Sequence, residues 1–330
     1  MTLVDKQIIH VVILASENSI LSTIASPMDM FLQAGVLWNV TMGQQPSPLF
    51  DVKIVTADGK PVNTVNKIPI FPTCDMHDIK HVDLIIIPSQ GFLFNPEDKD
   101  HIARVAWLKN KYENGADLAS VCGGAFTLAA TGLLDGKSAT THWGLAKQFA
   151  LRFPKVRLRT DLLVTDEGRL FCGGGISADL NLSLYLIEKY WGREIALQSS
   201  RCTMVDLDCI SQSPFAMFIP EKNHSDSIIL SSQSFMEKNF NEKINIDDLA
   251  ESVSMSIRQF NRRFKSATGE SVNGYLQLLR IDFAKKSLIN TQLSFEDISL
   301  ESGYENISYF RRIFKKHTSL TPSEYRKRFK

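Results

Sequence analysis

No apolar run in this chain approaches the ~18 residues that a membrane-spanning helix needs, and no low-complexity tract or collagen-like period is present. Cysteine is scarce: Cys74, Cys122, Cys172, Cys202 and Cys209 make five, an odd number with no CxxC pair. That excludes a disulfide scaffold and suits a reducing compartment. Neither sign of charge dominates, with 37 Lys+Arg against 36 Asp+Glu. Asp5 and Lys6 precede IIHVVILAS without a basic n-region or cleavage site, so this stretch is expected to be a first strand and the protein cytoplasmic, with no membrane partner. His77, His81 and His101 are scattered without metal-ligand spacing, and Gly173-Gly174-Gly175 after Cys172 lacks the spacing of a phosphate-binding loop. No metal and no cofactor are expected. The glycines read as a tight strand-to-helix turn.

What is present is ordinary globular composition, 44% hydrophobic and 22% charged over 330 residues, a length that favours two domains. The near-neutral total hides an asymmetry. Residues 225–330 hold 17 basic and 13 acidic side chains, and from Met255 onward the count is 15 against 7. A basic last third beside a mildly acidic body points to a polyanionic partner for that third, although charge alone fits a solvated basic surface equally well.

Residues 1–200 alternate strand-like runs (HVVILAS, FDVKIVTA, VDLIIIPS, DLASVC) with helical stretches such as SPMDMFLQAGVLW and DKDHIARVAWLKNKYENG. Near-continuous apolar strands alternating with helices predict an open α/β sandwich with a largely parallel sheet, placed at residues 1–211. The text then changes to SQSPFAMFIPEKNHSDS, with two prolines and no clear period, and a linker is expected at 212–227. Every segment from 228 to 330 reads as helix.

The all-α part contains an internal repeat. Phe260, Arg262, Phe264, Lys265 and Tyr275 recur 50 residues later as Phe310, Arg312, Phe314, Lys315 and Tyr325. Leu249 matches Ile298 at an offset of 49, so the second copy has one extra residue in its turn. Each copy predicts helix, tight turn, helix, at about 246–266 and 295–317. Asn245 is a candidate N-cap, the first turn falls at Ser254–Ser256, and Gly303 supplies the second turn. By the 3.6-residue period, Ile257, Phe260 and Phe264 face inward in the first copy and Ile307, Phe310 and Phe314 in the second. Arg258, Asn261, Arg262 and Lys265 face outward, as do Ser308, Arg311, Arg312 and Lys315, with Asn306 at the head of the second helix. Arg can fork onto guanine, Asn onto adenine, and Lys can neutralise phosphate. One such helix would equally fit a basic interaction bundle; two copies with matched spacing favour DNA.

LLRIDFAKKSL followed by DISLESGYENISYFRRIFKKHTSLTPSEYR resembles the AraC/XylS signature over roughly the last 100 residues. The resemblance implies two helix-turn-helix units joined by a long helix at about Val272–Asn290, reading successive major-groove segments. Ser299 stands where that family usually has Ala and Ser319 where it usually has Gly, which implies mild strain.

In the first domain the sharpest motif is DLASVCGGAFTLAATGLLDGKSATTHW. An apolar strand runs into Cys122, then Gly123 and Gly124, then a helix near Ala125, an arrangement that presents a side chain at a helix N-terminus. The helix dipole is expected to favour thiolate, and His142 to approach the sulfur. A buried structural thiol is the plainer alternative. Trp38, Trp107 and Trp191 are expected in the core, with Trp143 beside His142 either in the core or lining the pocket.

With SPMDMFLQAG near its start and GGGISADLNLSLYLIEKYWG near its end, this domain resembles the ThiJ/PfpI superfamily, a flavodoxin-like sandwich of the class I glutamine amidotransferase type. The two halves in this order resemble the GlxA-type branch of AraC/XylS regulators. Enzymes of the superfamily set a carboxylate near the cysteine. By the match that position is Thr23, with Ser22 and Ile24 beside it, and Glu17 is a weak substitute. Ser89-Gln90-Gly91 replaces the consecutive glycines of an oxyanion site. The proton-transfer partner is therefore missing.

The expectation is a sequence-specific DNA-binding transcriptional regulator acting on tandem promoter half-sites, with no catalytic residues. A small effector, by family analogy a nitrogenous metabolite, would bind a pocket of Cys122, Gly123, His142, Thr23, Gln90 and Trp143. The resemblance also implies a homodimer, and contact with RNA polymerase in an activator. The alternative is a cysteine-dependent hydratase or amidase with a DNA-binding tail.

Overall fold

The computed structural model describes residues 7–90, 95–207 and 211–330; Asp5, Lys6, Gly91 and Cys209 lie outside the described residues. The chain divides into two compact units at Gln212/Ser213. The first comprises β1 (Ile9–Leu14), α1 (Ser22–Gln33), α2 (Leu37–Thr41), β2 (Phe50–Thr56), β3 (Val62–Asn63), β4 (Pro69–Ile70), β5 (Cys74–Asp75), β6 (Leu84–Ile87) and α3 (Lys99–Glu113). It continues through β7 (Asp117–Val121), α4 (Gly124–Ala130), β8 (Ser138–Ala139), α5 (Ala146–Arg152), β9 (Arg157–Leu158), β10 (Val164–Asp166), β11 (Leu170–Gly173), α6 (Ala178–Trp191) and α7 (Arg193–Thr203).

Seven strands form one sheet in the order β10-β11-β7-β6-β1-β2-β5, parallel throughout except for β10 against β11. Successive side chains of a strand point to opposite faces. All of Val11–Leu14 and all of Leu84–Ile87 are buried, so both faces of the central strands are covered. This is why those runs carry no polar alternation. Each buried Val, Leu or Ile contributes about 1.5–3 kcal/mol. Parallel pairing brings the C-terminal ends of β1, β6 and β7 to one edge. The chain leaves β1 for β2 on one side and later returns to β6 on the other, and that reversal opens a crevice beside β1.

Residues 212–226 hold no regular helix or strand, yet they are packed. Gln212 is buried in the first unit, and Phe218 packs edge-on against Tyr275 in the second. Lys285, buried and pulled down to about 8 by desolvation, donates to the carbonyls of Ala216 and Ser213.

The second unit is all helical: α8 (Ser227–Asn239), α9 (Ile246–Ser252), α10 (Ile257–Thr268), α11 (Val272–Asn290), α12 (Phe295–Glu301), α13 (Ile307–Thr318) and α14 (Pro322–Phe329). The turns span residues 253–256 and 302–306, which accounts for the one-residue change of offset. Each half of α11 anchors its own apolar cluster. Ile229, Met236, Phe260, Phe264 and Tyr275 belong to the first, and Phe295, Ile298, Phe310, Phe314 and Tyr325 to the second. Ile257 does not face inward as its spacing predicts. Ile257 is 43% exposed, because it opens α10 at the edge of the turn before the apolar face has closed over it.

Candidate functional site: two basic helices and a buried thiol

α10 begins with a capping box in which Ser256 and Gln259 satisfy each other's backbone N–H groups. Phe260 and Phe264 are fully buried, and this fixes the rotation of the helix. Arg258, Arg262 and Lys265 consequently stand exposed, with Asn261 half-buried beside them. Asn261 Nδ2 donates to the Ile257 carbonyl one turn back at 3.0 Å. In α13, Phe310 and Phe314 are the buried pair, and Ser308, Arg311, Arg312 and Lys315 are exposed. Asn306 stands at the start of that helix, where its side-chain oxygen accepts the Tyr309 N–H at 2.9 Å and so caps it.

The two faces differ in how their arginines are held. Among the described residues Arg258 and Arg262 have no ion-pair partner. Arg311 donates to Glu296 Oε1 at 2.9 Å and lies over the Phe295 ring, while Arg312 lies over Tyr309.

In the first unit, Cys122 follows β7 with φ +52°, in the left-handed region where a non-glycine residue is strained. Its N–H donates to the Gly173 carbonyl at 2.8 Å and its carbonyl accepts the Thr141 hydroxyl at 2.8 Å, which pins that conformation. Gly124 must lack a side chain, since a Cβ there would collide with the Ile87 and Pro88 carbonyls. The thiol is buried, and burial raises its pKa above the ordinary 9.0. Hydrogen bonds from the Ser89 hydroxyl and from the Gly123 and His142 backbone N–H groups pull the other way but do not win, and the nearby Asp179 carboxylate adds to the rise. The expected thiolate is therefore corrected: α4 has only seven residues, and desolvation outweighs its dipole.

His142 reaches the sulfur through its backbone only. Its imidazole Nδ1 accepts the Gly144 N–H at 3.0 Å, the ring lies against Trp143, and partial burial lowers its pKa. Thr23, fully buried, donates to the Ile20 carbonyl at 2.7 Å and accepts the Ser89 N–H at 3.1 Å. Ser89 Oγ in turn accepts the Gly123 N–H at 3.2 Å. Thr23, Ser89, Gly123 and Cys122 are thus one buried network. Gln90 turns away from it, with Nε2 donating to Ser16 Oγ at 2.8 Å.

Three residues of the site do not emerge from the sequence pattern. Ser89 reads there only as a departure from a run of glycines. Asp179, in the first turn of α6, is buried with Oδ2 unpartnered, and burial raises its pKa to about 6. A carboxylate in the first turn of α6, on the face that carries Leu182 and Leu186, is the available signal. Gln212 donates to Thr140 Oγ1 and the Thr141 carbonyl at 3.0 and 2.9 Å and accepts the Trp143 N–H at 3.1 Å, clamping the segment that carries His142. No local pattern announces that contact. Trp107 and Trp191 are buried, whereas Trp38 is only half-buried, with the Arg201 guanidinium over its ring. His101 lies buried within α3, and no group of His, Cys, Asp and Glu suited to a metal is found among the described residues.

The family described as DJ-1/PfpI matches residues 26–187, and the family described as a helix-turn-helix domain matches residues 249–328. The chain is 31% identical over 222 residues to the HTH-type transcriptional regulator ArgR of Pseudomonas aeruginosa, covering 66% of this chain and 67% of that one. The chain belongs to the AraC-type helix-turn-helix transcriptional regulators that carry a DJ-1/PfpI domain. A second relative, the HTH-type transcriptional regulator CdhR of the same organism, is 27% identical over 289 residues, 84% of this chain and 82% of that one. In fold, the regulator's first unit resembles a ThiJ/PfpI family protein from Pseudomonas syringae, with a TM-score of 0.50 and 20% identity over 61% of this chain and 76% of that one. As a member of this family the regulator binds DNA. No helix among its described residues is long and apolar enough to cross a membrane.

Proposed function

We propose that α10 and α13 are the base-reading helices of the regulator, entering successive major-groove segments of tandem promoter half-sites. The observation that carries this is the paired geometry. Two helices of equal length each bury two phenylalanines and expose arginines and a lysine at matched positions. Arg258, Asn261 and Arg262 are the base-facing groups of the first unit, and Ser308, Arg311 and Arg312 those of the second. Lys265 and Lys315 approach phosphate, and Asn306 caps its helix close to the backbone. A bidentate Arg–guanine contact is worth about 1–3 kcal/mol. Arg258→Ala combined with Arg312→Ala should therefore weaken specific promoter binding about 30-fold or more in an equilibrium titration. Unchanged affinity would overturn the assignment.

The first unit is the sensor in this reading, and it binds a small effector at the sheet edge that carries Thr23, Gln90, Cys122, Gly123, His142 and Trp143. Gln212 supports a route out of it, because one side chain ties the His142–Trp143 backbone to the last residue before the second unit. The family resemblance supports a homodimer formed through the α/β unit, a cytoplasmic setting, and contact with RNA polymerase where the regulator activates.

Asp179 is the one observation that favours the enzyme alternative, since it brings a carboxylate near the thiol. The direction of proton transfer argues against it. The thiol sits above 9.0 and the carboxyl near 6, so moving the proton from Cys122 to Asp179 runs uphill. Turnover of an amide or isocyanide that Cys122→Ser abolishes would reverse this conclusion.

A further inference from the structure

The two apolar clusters of the helical unit share no residue, and among the described residues α11 is the only element that contributes to both. Leu276 and Leu279 belong to the first cluster, Ile281 and Ala284 to the second, and Arg280 falls at the seam between them. The angle between α10 and α13 is therefore set by α11 and by the side chains that brace it. An unbraced helix curves. Groove reading leaves little room for that, since each base pair advances the duplex by about 3.4 Å and turns it by about 35°.

Arg280, half-buried, supplies such a brace. Its Nε donates to the Phe240 carbonyl at 2.7 Å and its Nη2 to the Glu242 carbonyl at 2.8 Å. Phe240 is the C-cap of α8, so the guanidinium also satisfies a carbonyl that the helix end leaves open. The same group lies over the Tyr304 ring, 4.9 Å from its centroid. Tyr304 stands in the turn between α12 and α13 and stacks on Phe310, the buried anchor of α13, with centroids 4.3 Å apart. Residues 240–245 lead directly into α9, which shares the first apolar cluster with α10. One side chain thus ties the approach to the first helix-turn-helix unit to the turn of the second. The fit is close, since a Cβ on Gly303 would collide with the Asn241 carbonyl and crowd Arg280. A planar guanidinium can fork onto two carbonyls and stack on a ring at once, which an ammonium cannot.

We propose that Arg280 is a positioning residue that fixes the separation and angle of α10 and α13, and with them the half-site spacing that the regulator accepts. The proposal rests on the reading of α10 and α13 as base-reading helices. It adds to that reading a determinant of spacing that lies outside both base-facing sets.

The test is an equilibrium titration of the full-length regulator against its promoter, and against the same promoter with one base pair added or removed between the half-sites. The unaltered chain should bind the natural spacing about tenfold or more tighter than either altered one. Arg280→Gln should bring that ratio down to about threefold or less, mainly by weakening the natural site. Arg280→Lys keeps the charge and one donor, and should fall between the two. It carries the test where denaturant titration finds Arg280→Gln unfolded. A role in stability alone would lower binding at all three spacings by one factor, and such an unchanged ratio overturns the proposal. A phosphate contact would also weaken all three alike and would reduce the slope of log affinity against log salt by about 1, which overturns it as well. Indifference of the unaltered chain to spacing overturns the tandem reading and this proposal together. A selective parent with equally selective variants overturns this proposal alone.

Discussion

The two helix-turn-helix units share a plan and solve its steric problems in opposite places. Each needs a left-handed residue in the turn between its helices and another at the C-cap of its second helix. The first unit has Ser254 (φ +56°) in the turn and Gly269 (φ +81°) at the cap. The second has Gly303 (φ +78°) in the turn and Ser319 (φ +59°) at the cap. Each unit therefore carries one strained serine, and neither could exchange its glycine and serine freely. A Cβ on Gly269 meets nothing within 4 Å, whereas one on Gly303 would press on the Asn241 carbonyl at 2.7 Å and on Arg280 at 3.0 Å. The backbone torsions have been kept across the repeat, while the packing that makes glycine obligatory is found in one copy only.

The two proposed base-reading helices, α10 and α13, diverge in the same spirit. Among the described residues Arg258 and Arg262 of α10 have no ion-pair partner, and Arg263, which lies off the face they share, is paired with Asp226; Arg311 and Arg312 of α13 lean on Glu296, Phe295 and Tyr309. An exposed ion pair is worth only about 0–1 kcal/mol, so Arg311 can be recruited by DNA at small cost. Arg258→Ala with Arg262→Ala should nevertheless cost more specific affinity than Arg311→Ala with Arg312→Ala, by several-fold in a titration at fixed salt. Equal losses would erase the distinction between free and held arginines.

Stability tests sharpen the comparison further. Gly303→Ala should destabilise the protein by about 2–4 kcal/mol, from the positive φ together with the clash, and Gly269→Ala by about 1 kcal/mol, from φ alone. Denaturant titration separates the two, and equal losses would show that Asn241 moves aside. The repeated tyrosines offer a smaller contrast. Tyr275 donates to Glu237 at 2.7 Å and accepts from Gln233 at 3.2 Å, while Tyr325 is held by the rings of Phe314 and Phe329. Tyr275→Phe should cost about 1–2 kcal/mol, and Tyr325→Phe should stay within about 0.5 kcal/mol.

The smallest effect is one of pH. His317 in α13 has its pKa lowered below 6.5 by burial and by the cations Lys316 and Lys285. The folded chain then binds fewer protons than the unfolded one below about 6.5, and this contribution to stability is lost as the pH falls. His317→Gln should flatten that part of the stability–pH curve. An unaltered slope would place the titration elsewhere.

Much of the fold is legible in the amino-acid order itself. The buried strands of the α/β unit announce themselves as β-branched runs, and the phenylalanine spacing of the repeat fixes which side of α10 and α13 faces out. Period and repetition are local properties, and a chain displays them directly. The site in the first unit is different in kind. Thr23, Ser89 and Cys122 come together across a parallel sheet, and Gln212 meets Thr140 from 72 residues away. A polar cavity lined by Ser16, Asp58, Gln90 and Arg104 is likewise assembled from the ends of three strands and α3. Contacts of that range leave no period to find. The thiol misleads for a related reason: the strand-to-helix motif is visible, but the desolvation that sets its pKa depends on neighbours distant in sequence.

The central claim is that the two units read tandem segments of one duplex face. A hydroxyl-radical footprint of the full-length regulator on its promoter tests it most directly, followed by the same promoter with five base pairs inserted between the protected segments. Two protected segments about 10–10.5 base pairs apart are predicted, with affinity falling sharply once the insertion rotates one half-site to the opposite face. A single protected segment, or indifference to the insertion, would contradict it.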